Sequence, residues 1–218
     1  LKNMSKLKKF IVLDFEGKST KRPYNVGIIV GDKHGNIYRK YSIVFPETFQ
    51  ENITTNNGTV SNRMSKNNID YIMSNPLEFR STTIENFTQF LFRLIELDNI
   101  TEFWAYNMSF DKSALKRLIG LENFTKLCQQ VTFYDIIPIV TPRLLTKKYV
   151  KFCTKHGYIT KAKNLQTTAE IVYRYLFNKM YKNIPFNPDK LYFDIEVDGI
   201  NQAGDFPEMG ECPVNACT

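Results

Sequence analysis

The first 45 residues divide into three strands by the spacing of their apolar positions. Residues 9–15, KFIVLDF, form a short and nearly continuous apolar run that ends in an acid, the pattern of a central strand buried on both faces. Residues 24–30 and 37–45 are rich in β-branched and aromatic side chains. The turn-forming hexapeptide Gly31-Asp32-Lys33-His34-Gly35-Asn36 between them predicts an antiparallel hairpin. Residues 46–80 are polar and Asn-rich, and no period assigns them an element. From Thr83 the apolar residues Ile84, Phe87, Phe90, Leu91, Leu94 and Ile95 fall on one face of a helix. Residues 102–106 then read as a short aromatic strand. Ser109-Phe110-Asp111 can cap a helix that runs through Leu115 and Leu118 and stops at Gly120. A further strand is expected over residues 130–139, ended near Pro138 and Pro142, with two helices over 147–155 and 168–182. Antiparallel strands followed by helix–strand alternation indicate an α/β fold with a mixed sheet.

Composition adds bounds. The chain has 218 residues, 43% of them hydrophobic and 23% charged, with no Gly/Ser/Pro-rich linker and no internal repeat. One domain of that size can bury a substantial core. No apolar run approaches the roughly 18 residues of a membrane span, so no membrane partner is expected. The basic start LKNMSKLKKF lacks an apolar h-region and does not read as a signal peptide. Cys128, Cys153, Cys212 and Cys217 are scattered over a chain too large to need disulfide staples, which points to a reducing, cytoplasmic setting. Cys212 and Cys217, with no second pair or nearby histidine, make a poor zinc site.

Charge changes the picture more. From residue 186 onward the chain has seven acids and one base. Residues 1–185 hold 28 bases against 15 acids, a net charge of +13. The expected layout is therefore a basic domain over 1–185 and an acidic C-terminal extension over 186–218. A body this basic suits a polyanion, nucleic acid being the commonest, although solubility alone would also explain it.

Two segments carry candidate chemistry. Strand alternation puts Asp14 and Glu16 on one face and Phe15 on the other. Two carboxylates that close repel unless a cation lies between them, and hard ions such as Mg²⁺ and Mn²⁺ take such oxygen ligands. The plainer reading is a pair of acids meeting solvent at a strand end. In residues 103–111, FWAYNMSFD, a second apolar strand runs into Asp111 at a helix start, where an ordinary cap is the competing reading. Met108 and Phe110 read as core.

Together these segments, IVLDFEG (residues 11–17) and AYNMSFDKSAL (residues 105–115), resemble the DEDD-type 3′–5′ exonucleases of the RNase H-like superfamily. The family's N-x-x-F-D core is present as Asn107 to Asp111. Residues 149–158 and 168–175 also look like phage-encoded members. The resemblance implies an RNase H-like mixed sheet flanked by helices, and a metal-dependent exonuclease that acts at the 3′ end of single-stranded DNA or RNA. It implies that Asp14, Glu16 and Asp111 are three of four acids holding two Mg²⁺ or Mn²⁺ ions, with Asn107 near the substrate.

The family's third motif, His-x4-Asp or Tyr-x3-Asp, is not met in its usual form. His34 lies in the hairpin turn, and His156 is followed five residues on by Lys161. Tyr192 has Glu196 four residues later, behind the helix start Asn187-Pro188-Asp189, and i,i+4 residues share a helical face. Tyr192 would then contact substrate and Glu196 would be the fourth acid, with Asp194 or Asp198 as substitutes. A competing alignment puts Val197 and Gln202 at the motif positions and leaves a degenerate site. Glu170 is a weaker candidate, and Asp135 reads as a supporting group or a cap. An active exonuclease and a nucleic-acid- or protein-binding module that has lost turnover thus stand side by side. The acidic extension could also lie over the basic body, or simply be solvated.

Overall fold

The computed structural model of the protein describes residues 8–17, 21–49 and 63–177. Six strands form one sheet: β1 (Lys9–Gly17), β2 (Pro23–Asp32), β3 (Ile37–Val44), β4 (Arg80–Ser81), β5 (Glu102–Ala105) and β6 (Thr132–Asp135), in the spatial order β4-β3-β2-β1-β5-β6. β2 runs antiparallel to β1 and β3, while the pairs β1–β5, β5–β6 and β3–β4 are parallel. The fold is α/β, with a mixed sheet flanked by helices, consistent with an RNase H-like arrangement.

The hairpin is where its turn residues predict it. Asp32 accepts from the backbone N–H groups of His34 and Asn36, and from the Asn36 amide and the Tyr38 hydroxyl. Gly35, at φ +84°, takes the left-handed conformation that such a turn requires.

Helices among the described residues include α1 (Arg63–Ser74), α2 (Ile84–Asp98), α3 (Met108–Gln130), α4 (Ile137–Leu144), α5 (Lys147–His156) and α6 (Ala169–Phe177). α2 is the amphipathic helix read from its apolar spacing. Thr83 caps it by accepting the Asn86 N–H, and Phe87, Phe90, Leu91, Leu94 and Ile95 are all buried. They join Ile11, Leu13 and Phe15 of β1, Val26, Ile28 and Val30 of β2, and Ala114, Leu115 and Leu118 of α3 in the main core. Each of the larger side chains among them contributes roughly 1.5–3 kcal/mol on burial. A separate apolar cluster joins Val140 and Leu144 of α4 to Tyr149 and Cys153 of α5 and Ile171 and Val172 of α6.

Three expectations need correction. The helix from Asp111 begins earlier, at Met108. Gly120, at φ +80°, ψ +163°, does stop the regular helix as expected, and a second helical segment follows directly across the kink. The strand expected over 130–139 is only four residues long. Asp135 accepts the Ile137 N–H, and Pro138, in a first turn where its missing N–H costs nothing, starts α4. The unassigned stretch 46–80 contains α1, a 3₁₀ turn (Pro76–Glu78) and β4. Its small core sets Ile69, Ile72 and Phe79 against Tyr24, Val44 and Phe49. The helix expected over 168–182 is described as far as Phe177, and the extension over 186–218 lies outside the described residues.

Candidate acidic site at the sheet end

β1 outruns its parallel neighbour. Its pairing with β5 covers Ile11 opposite Phe103 and Val12 opposite Trp104, and β5 ends at Ala105. The last residues of β1 therefore have no strand partner on that side, and their backbone donors need another acceptor. Asp111 supplies it, accepting the Phe15 N–H at 2.8 Å through Oδ1. Asp111 lies on the inner face of α3, whose first turn is aimed by the β5–α3 turn. Asn107 there adopts φ +69°, a left-handed conformation that Asn tolerates better than most residues.

Asp135, at the end of β6, secures that turn by accepting the Asn107 N–H at 3.2 Å and the Ile137 N–H at 2.9 Å through one oxygen. It acts as a cap and brace. The Asn107 side chain accepts from the Ser109 hydroxyl at 3.0 Å. Met108 is buried and Phe110 packs on the core, as read from the sequence.

The alternation of β1 holds through the acids. Ile11, Leu13 and Phe15 face the core, whereas Asp14 is exposed and Glu16 half-buried on the opposite face. Asp14 opens to solvent, yet enough protein surrounds it for the loss of water to hold its carboxyl above the ordinary carboxylate range. Asp111 is 2% exposed. Burial pushes its carboxyl up to about 7; the Phe15 N–H opposes that rise, and the charges of Asp14 and Glu16 add to it. Asp111 thus senses the charge of both β1 acids, and it lies in the first turn of α3 beyond the cap position, which Asn107 occupies.

Among the described residues no three His, Cys, Asp or Glu side chains form a ready-made metal cage. The fit of Asp14, Glu16 and Asp111 to a metal lies in donor type and charge. They are hard oxygen donors, and their clustering is unfavourable unless a proton or a cation offsets it. The positions named for the third motif, Tyr192, Glu196, Asp194, Asp198, Val197 and Gln202, lie outside the described residues. The late helix that is described, α6, begins beside the site, where the Tyr106 hydroxyl donates to the Thr167 carbonyl. Its first acid, Glu170, is exposed and paired with Arg174 at 2.7 Å.

Two features were not found from the sequence. The Trp104 and Tyr134 rings stack at 4.6 Å and 17° beside Val12, on the sheet face that carries Asp14. The Phe15 backbone contact joins residues 96 positions apart, a pairing that no local pattern signals. No protein-family model and no curated protein matches the chain. No helix among the described residues is long and apolar enough to cross a membrane.

Proposed function

We infer that the chain is a metal-dependent 3′–5′ exonuclease that hydrolyses phosphodiester bonds at the 3′ end of single-stranded DNA or RNA. The observation that carries this reading is the buried Asp111, held against the Phe15 N–H, raised by burial and by the charges of Asp14 and Glu16, and itself met by no Lys or Arg among the described residues. A structural carboxylate in that position would be expected to have a Lys or Arg partner. Bound there, two Mg²⁺ or Mn²⁺ ions would supply acidification of the attacking water and charge stabilisation at the leaving 3′-oxygen. Asp14, Glu16 and Asp111 would hold them, with Glu196 as the candidate fourth ligand. The Phe15 N–H fixes the orientation of Asp111, and Asp135 fixes the turn that presents Asn107 to substrate. Trp104 and Tyr134 offer a stacking surface for a base on the same face.

A second reading is favoured by a specific observation at α6. The described part of the late helix beside Tyr106 offers only Glu170, already paired with Arg174, and on that reading the domain would bind nucleic acid or a protein partner without cutting. One assay separates the two. 5′-labelled single-stranded DNA and RNA are incubated with Mn²⁺, Mg²⁺ or EDTA, beside Asp14→Ala. A metal-dependent ladder that shortens from the 3′ end and is lost in the variant supports the exonuclease. Intact substrate with retained binding supports the second reading.

A further inference from the structure

We propose that an open groove on the outer face of α3 binds the phosphates of the single strand immediately upstream of the 3′ end that the acidic site receives. This rests on the nucleic-acid reading of that site and extends it to a second, cationic contact surface.

The groove, of about 670 Å³, is lined by Lys21, Ser113, Lys116, Arg117, Gly120 and Leu121. Residues 113, 116, 117 and 120 follow i, i+3, i+4, i+7 spacing and so share one face of α3 over about 10 Å. The opposite face of the same turns carries Asp111, Ala114, Leu115 and Leu118 into the core. The groove therefore starts two residues beyond Asp111 and runs away from it. Lys21 approaches from the other side: the chain leaves β1 at Gly17 and enters β2 at Pro23, so Lys21 stands at the sheet end where Glu16 lies.

Among the described residues, Lys116 and Arg117 form no ion pair with a carboxylate, so their charge is left to an outside anion. Both are exposed. Gly120 widens the path: at φ +80° it interrupts the helix, and a Cβ there would meet nothing within 4 Å. Leu121, at 66% exposure, adds an apolar rim against which a sugar or base can rest. A chain of phosphates suits this arrangement better than a compact anion, because the cations are strung along a helix face rather than converging on one point.

The test is fluorescence anisotropy of 5′-fluorescein-labelled dT12 in EDTA over a range of salt, which reads binding without cleavage. Lys116→Glu/Arg117→Glu is compared with Lys33→Glu/Lys126→Glu, which changes the net charge equally at the opposite end of the sheet. Lys33 follows Asp32, the partner of Lys9, and Lys126 precedes β6, which starts opposite Glu102. The groove variant is expected to bind at least tenfold more weakly, and its slope of log K against log salt should fall by about 1.4, or about 0.7 per lost contact. The control should lose no more than about threefold, with its slope unchanged. Lys116→Gln/Arg117→Gln, which adds no repulsion, should give an intermediate loss with an unaltered thermal melt. Equal losses in groove and control variants, wild-type binding by the groove variant, or no binding of dT12 by the wild-type chain would each overturn the proposal. Metal-dependent cleavage is scored separately on the wild-type chain. A groove effect without cleavage refutes only the catalytic reading, and cleavage without a groove effect refutes only the groove.

Discussion

Two buried aspartates at opposite ends of the same sheet show what separates a structural acid from a chemical one. Asp98, at the end of α2, is met by two cations, Lys9 Nζ at 2.5 Å and Arg39 Nε at 2.6 Å. Burial alone would raise its carboxyl, but those hydrogen bonds outweigh it and hold Asp98 below the ordinary carboxylate range. Asp111 is buried as deeply, but it has only backbone N–H groups and two acids for company, and it is pushed up to about 7. The Asp98 contact clamps β1, β3 and α2 together. The Asp111 contact ties α3 to the end of β1 and leaves its carboxyl without a cationic partner among the described residues.

Asp111→Asn should show the largest effect in that comparison. The amide can still accept the Phe15 N–H, so the fold should persist while metal-dependent hydrolysis collapses. Metal stabilisation of the transition state is worth several kcal/mol, and 1.36 kcal/mol is tenfold, so the loss should be on the order of 10³-fold in single-turnover cleavage.

Next comes pH. For Asp111 the folded state holds the proton more tightly than the unfolded chain. Its contribution is therefore full below about pH 4 and is lost as pH rises through about 7. In EDTA the upper bound of that loss is about 4 kcal/mol. Asp98 has the opposite sign: its contribution is present above about pH 4 and lost as pH falls through its depressed value. Urea melts from pH 4 to 8 should show the Asp111 loss in the wild-type chain and a flatter profile in Asp111→Asn.

At the other end, Asp98→Ala leaves Lys9 and Arg39 facing each other without their counter-charge. It should cost about 3 kcal/mol at pH 7, read from the urea midpoint. The smallest effect is at Asn107. Replacement by Ala should cost about 1 kcal/mol through the left-handed backbone, and replacement by Gly should remove most of that cost. A cleavage defect that persists in Asn107→Gly would mark a side-chain contact with substrate rather than a backbone role.

The legibility of the chain follows the range of its interactions. The spacing of Ile84 to Ile95 located α2 because that helix buries one continuous stripe, and strand alternation correctly put Asp14 and Glu16 on one face. α1 escaped because its apolar support, Ile69 and Ile72, is sparse and finds its partners Tyr24, Val44 and Phe49 far along the chain. The run from Phe133 to Val140 is apolar enough for a strand throughout. The capping contact of Asp135 and the position of Pro138 decide where it turns helical. At the site, residue types suggested an acid cluster. That Asp111 is tied to the backbone of β1, and is not a helix cap, follows from β5 ending before β1 does.

The most direct test of the central claim is calorimetric titration of Mn²⁺ into the protein at pH 7, repeated in two buffers of different ionisation enthalpy to count released protons. Saturable binding with proton release is expected, with a smaller release and weaker binding in Asp111→Asn. Heat without saturation, or equal binding and proton release in wild type and Asp111→Asn, would contradict it.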